Sequence, residues 1–162
     1  MRLSEGVEWG LHCAVVLAVL PSDAALSTAR LADYHGVPEA YLAKHLQAMS
    51  RAGILVAGTG PRGGYRLARP PADISVLDVV EAVDGDAPAF RCLEIRRRGP
   101  AAVAAREYRS MCGIHRVMVE ADEAWRGRLA RTSVADLAAG VALDASPKMV
   151  EKFWQWLQEV MP

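Results

Sequence analysis

The chain has 162 residues, 52% of them hydrophobic and 23% charged. That balance fits a folded globular protein of one ordinary domain, or a small domain with an extension, and excludes a disordered or fibrous chain. Lysine plus arginine (19) cancels aspartate plus glutamate (19), so overall charge gives no warrant for nucleic-acid binding, and such a role must come from local distribution.

Met1 to Leu20 reads as a mostly buried helix, with Val7, Leu11, Ala14, Val15 and Ala18 at helical spacing and Trp9, Val16 and Leu20 on a second face. The run around Leu11 to Leu20 is far short of the ~20 residues of a membrane span and lacks the flanks of an export signal. Pro21, Ser22 and Asp23 stop it. Ser27 is placed to cap a short helix, Thr28 to His35, with Ala29, Leu31 and Ala32 inward and Gly36 suited to a left-handed end. A helix from about Pro38 to Ala52 follows, closed by Gly53. Residues 54–57 and 65–68 form a hairpin around the glycine-rich turn 58–64. Ser75-Val76-Leu77-Asp78 is a capping box in its aspartate form, opening a helix through Val83. Beyond a loop holding Cys92, Arg96-Arg97-Arg98 and Cys112, the stripe Ile114, Val117, Met118, Ala121, Ala124, Trp125 and Leu129 predicts a long amphipathic helix to about Arg131. Thr132-Ser133 opens a short helix, Val134 to Ala139, and Ser146-Pro147 a last amphipathic one with Val150, Phe153, Trp154 and Leu157 at its wet-to-dry boundary.

Helix, helix, short glycine turn, helix, hairpin is the order of a winged helix-turn-helix. The second helix of the pair carries Tyr41, Lys44, His45, Gln47 and Arg51, groups that reach base edges and phosphates in a major groove. Ser27 and Thr28, at the start of the first, are also DNA-binding candidates. Arg62 sits on a wing whose glycines permit close approach to DNA. The expected fold class is mainly α with a small β-hairpin wing. No nucleophile–base pair or phosphate loop is visible, so an enzyme is not expected.

The segments Tyr41 to Gln47, Arg51 to Leu55, Gly60 to Ala68 and Ile74 to Val83 together resemble the winged-helix core of the Rrf-two family of bacterial transcription regulators, that of IscR and NsrR. The resemblance runs from Leu3 to about Leu137. It implies a homodimer bound to a double-stranded DNA operator, a dimerisation helix near 114–131, and a sensor loop before that helix which often holds an iron–sulfur cluster. The expected divisions are a DNA-binding unit over 1–84, a sensor loop over 85–112, and dimerisation and C-terminal helices over 113–162. The expected location is the cytoplasm.

Three cysteines are too few for a disulfide scaffold. Cys13 reads as a core thiol. Cys92 and Cys112 flank the sensor loop, and two thiolates do not close a [2Fe–2S] site, which needs four ligands. Glu8 and His12, four apart, project from one helix face. The run Val7 to Cys13 resembles the redox-sensing subgroup typified by RsrR. That resemblance implies a [2Fe–2S] cluster on Glu8 and His12 of one subunit and Cys92 and Cys112 of the other. His115 is the reserve ligand, and Trp9 and Arg91 are candidate neighbours of the cluster. Read from the residues alone, Glu8 and His12 also suit a helix-surface pair, and the two cysteines suit buried thiols or a reversible disulfide. A cluster-free thiol switch and a small electron-transfer protein are the alternatives to a cluster-dependent regulator.

Overall fold

The computed structural model describes residues 3–60 and 63–161. Among them the order is α1 (Glu5–Ala18), α2 (Thr28–His35), α3 (Glu39–Arg51), β1 (Leu55–Gly58), β2 (Gly64–Leu67), α4 (Val76–Asp84), α5 (Gly113–Ala130), α6 (Val134–Asp144) and α7 (Pro147–Val160). Short 3-10 turns lie at Pro71–Asp73, Ile95–Arg97 and Ala105–Glu107. The mainly helical class with one small hairpin is the class expected from sequence.

α1 is the hub. It carries no lysine or arginine, buries Val7, Cys13, Ala14, Val16 and Leu17, and packs against α3, α4, α6 and β2. Its start is tied to the end of α4, because the Ser4 backbone N–H and hydroxyl both donate to the Asp84 carboxylate, at 2.8 and 2.5 Å. Gly6 and Gly10 are buried on it. A Cβ at Gly6 would stand 2.3 Å from the His45 ring, so the close approach of α1 to α3 requires glycine there.

α2 begins where its cap predicts: the Ser27 hydroxyl accepts from the Arg30 N–H at 3.3 Å. It ends at Gly36, which is left-handed at φ 64°. Leu31 and Ala32 are buried, but Ala29 is exposed, contrary to expectation. It lies about 200° around the helix from Leu31, so the two cannot share a face. α3 buries Leu42, Leu46 and Met49. These side chains join Cys13, Leu26, Leu31, Ile54, Leu55, Ile74, Val79 and Val134 in the main core.

β1 and β2 pair antiparallel with Leu55 opposite Leu67 and Gly58 opposite Gly64. A bridge between Leu26 and Tyr65 anchors this wing to the segment before α2. α4 and α6 open with matching capping boxes, Ser75–Asp78 and Ser133–Asp136. The two starts are stitched together by Val76 N–H to Thr132 O and Val134 N–H to Ile74 O, both 2.8 Å.

α6 runs through Gly140 to Asp144 rather than stopping at Ala139. A mid-helix glycine costs about 1 kcal/mol, and packing of α6 on α1 offsets that. α5 has no buried residue among those described. Its second half rests on α4, where Trp125 and Leu129 cover Val7, Val76 and Val80. Its first half presents Ile114, Val117 and Met118 to solvent. No described helix is long and apolar enough to cross a membrane.

Candidate functional site

The helix-turn-helix face comes from α3. Taking Tyr41 as origin and about 100° per residue, Lys44, Arg51 and Gln47 fall within a third of the circumference, and all four are exposed. Tyr41 is 65% exposed at the first turn. His45 falls on the other side of that origin, toward Leu42 and Met49. It is half-buried, its ring edge-on to Trp9 at 6.0 Å and pressed against Gly6. Its side chain thus takes part in the packing of α1 on α3. Ser27 spends its oxygen on the α2 cap, and Thr28 follows it in the first turn. Arg62 lies outside the described residues. Sequence reading did not select Arg30 in α2 and Arg66 in β2, both exposed on the same unit. Their signal was plain basic charge on elements already recognised.

The sensor candidates fall in two places. Glu8 and His12 are exposed on α1 and line a cavity of about 550 Å³ with Leu11 and Val15 of α1 and Leu137 and Val141 of α6. The His12 ring lies 5.7 Å from that of His35, at the end of α2. His35 is held below the ordinary histidine pKa, first by burial and then by the neighbouring His12 charge.

Cys92 and Cys112 line a second cavity, of about 200 Å³, with Phe90, Glu94, Ile95 and His115. Both are free, half-buried thiols. His115 Nδ1 is buried there without a hydrogen-bond partner among the described residues, and its ring sits 6.2 Å from Phe90. Arg91 is exposed. Among the described residues no three His, Cys, Asp or Glu side chains converge as metal ligands. The chain thus carries two separate pairs of potential donors, one on α1 and one in the loop before α5. Cys13 stands apart: it is fully buried, and burial pushes its thiol up to about 12.

The profile of the Rrf2 family, described as an iron-dependent transcriptional regulator, matches residues 3–140. The chain belongs to the Rrf2 family. Rrf2 proteins are DNA-binding transcription regulators, typically dimeric, and the winged helix described above is their DNA-binding unit. YwgB of Bacillus subtilis, named as an HTH-type transcriptional regulator, is 26% identical over 83% of this chain and 82% of its own. Rv1287 of Mycobacterium tuberculosis, named likewise, is 28% identical over 86% of this chain and 83% of its own. Two solved structures share the fold. CymR, the global cysteine regulator of B. subtilis, superposes with a TM-score of 0.69 at 21% identity, covering 86% of this chain and 97% of that one. IscR of T. potens superposes with a TM-score of 0.66 at 20% identity, covering 93% and 96%.

α7 lies beyond the Rrf2-matched segment. It docks on the first helix of the helix-turn-helix, with Trp156 at 4.3 Å and Phe153 at 5.9 Å from the Tyr34 ring.

Proposed function

We propose that this Rrf2 protein is a homodimeric, cytoplasmic redox sensor that regulates transcription through a [2Fe–2S] cluster. Glu8 and His12 of one protomer and Cys92 and Cys112 of the other would hold it. The observation that carries this reading is the separation of the donors into two complementary pairs, one on a groove of α1 and one in the loop cavity. Charge supports it: between Phe90 and Cys112 six arginines stand against two glutamates, whereas α1 offers Glu5 and Glu8 and no lysine or arginine. The donor chemistry fits as well, because two thiolates, a carboxylate and an imidazole fill four positions.

When bound, the cluster would supply a one-electron change of charge. The chain's own residues do the rest. Glu8 and His12 belong to the helix whose Gly6 and Trp9 abut His45 of α3. Any shift of α1 is thereby carried to the helix bearing Tyr41, Lys44, Gln47 and Arg51. This is the two-state element that coupling between sensor and operator requires.

Anaerobic purification tests the reading. The expected product is red-brown, with iron and sulfide in equal amounts, and Cys92→Ala or Cys112→Ala bleaches it. A site with two thiolates and one carboxylate is less anionic than one with four thiolates. Its potential is therefore expected above the ~−400 mV of plant-type ferredoxins. Full cluster content in Cys92→Ala sinks the assignment. A colourless protein whose DNA affinity changes with thiol oxidants selects the second reading, a cluster-free switch, which the shared cavity of the two cysteines favours. A coloured protein that does not bind DNA selects electron transfer.

A further inference from the structure

Glu94 is the one non-glycine residue with positive φ among those described, at φ 47° and ψ 56°. That conformation costs a glutamate about 1–2 kcal/mol and persists only where its surroundings impose it. Here it does two things. It turns the Glu94 backbone N–H onto Cys92 Sγ, at 3.4 Å. It also brings both carboxylate oxygens to Arg96, with Nε donating to Oε1 at 2.5 Å and Nη2 to Oε2 at 2.9 Å.

Tyr108 closes the other side. Its ring centroid lies 4.6 Å from the Arg96 guanidinium, and its hydroxyl donates to the Arg96 carbonyl. Cys112 is four residues on and shares the cavity of Cys92 and Glu94. The bidentate pair holds Glu94 below the usual carboxylate range and raises Arg96, to which the Cys112 charge adds a smaller part. Arg98, by contrast, is exposed.

We propose that the Glu94–Arg96 ion pair sets the local charge at the Cys92–Cys112 site. Arg96 is a positioning residue that masks the Glu94 carboxylate and keeps it from facing the two sulfurs. Glu94, held by that pair, directs its N–H to Cys92. The inference rests on Cys92 and Cys112 being the sensor pair, and holds whether they bind a cluster or form a disulfide.

The test compares alkylation of the full-length, reduced, iron-chelated protein by anionic iodoacetate and neutral iodoacetamide, with peptide-resolved rates at Cys92 and Cys112. The ratio of the two rates reports local charge, because the thiolate fraction cancels. Arg96→Ala unmasks Glu94 and lowers the ratio about two- to fivefold, the effect of one charge a few ångströms away in screened solvent. Glu94→Gln raises it by a similar factor, and the double variant returns toward the parent. Arg98→Ala is the control and leaves it unchanged. Ratios unmoved in both single variants, or moved as much by Arg98→Ala, overturn the proposal. If Arg96→Ala loses its folded circular dichroism signal, Glu94→Gln, which keeps the backbone N–H, decides alone. In cluster-loaded protein the midpoint potential falls in Arg96→Ala and rises in Glu94→Gln. A protein that never takes up iron refutes the cluster but leaves the alkylation ratios to judge the ion pair.

Discussion

Two side chains with similar sequence signals have opposite fates. His45 and Lys44 are adjacent polar residues on α3, yet His45 packs on Gly6 and Trp9 while Lys44 is exposed. His45→Ala is expected to destabilise the fold by about 1–3 kcal/mol in urea titrations, through the void it leaves between α1 and α3. Lys44→Ala is expected to leave stability within about 0.5 kcal/mol. Its DNA affinity should fall, with a shallower salt dependence if it meets phosphate. Cys13 gives a pH prediction. Its folded-state thiol, pushed up to about 12, keeps its proton where the unfolded chain has lost it, above about 8.5. The folded state then holds more protons, so stability falls as pH rises from about 8.5 toward 12. Unfolding titrations at pH 7, 9 and 10.5 should show a steeper decline for the parent than for Cys13→Ala.

Among the elements, α5 and α7 differ in what covers them. The first half of α5 leaves Ile114 68% and Val117 58% exposed, an apolar stripe that its own protomer does not bury. Val117→Glu is expected to convert a dimer into a folded monomer by light scattering and to weaken operator binding with it. An unchanged dimer would show that another face joins the copies. α7, in contrast, is seated: Leu157 is buried, and Phe153 and Trp156 are half-buried against the core, while Trp154 is exposed. Trp156→Ala is therefore expected to cost about 2–3 kcal/mol and Trp154→Ala less than about 0.5 kcal/mol in thermal or denaturant melts. The amphipathic pattern of α7 placed Trp154 at the boundary but passed over Trp156, because a helical wheel does not say which neighbour, here Tyr34, will fill a given side.

At the scale of the whole molecule, the proposed cluster would be held between two copies. Mixing two inactive chains tests this. A Glu8→Ala/His12→Ala chain and a Cys92→Ala/Cys112→Ala chain should each be colourless, and the refolded mixture should recover one cluster per heterodimer, read by absorbance and iron content. Failure to recover colour, with dimers shown by light scattering, would place all ligands in one protomer and bring His115 forward.

Much of this was legible in the sequence, for local reasons. Caps and glycines fix helix ends by their own backbone chemistry, so Ser27, Gly36 and the Ser75–Asp78 box marked their positions directly. Apolar periodicity marked α1 and α5 as amphipathic helices, although the first half of the α5 stripe faces solvent. The spacing of Glu8 and His12 put both on one face because a helix has a fixed pitch. What tertiary structure decided was each element's neighbour. Only folding turned His45 to Gly6, carried α6 past Gly140 on the support of α1, and set Trp156 on Tyr34. Only folding put Glu94 into a left-handed conformation that joins Cys92 to Arg96. A one-dimensional pattern records which side chains seek burial or charge, but the partner each one finds depends on contacts between segments far apart in the chain.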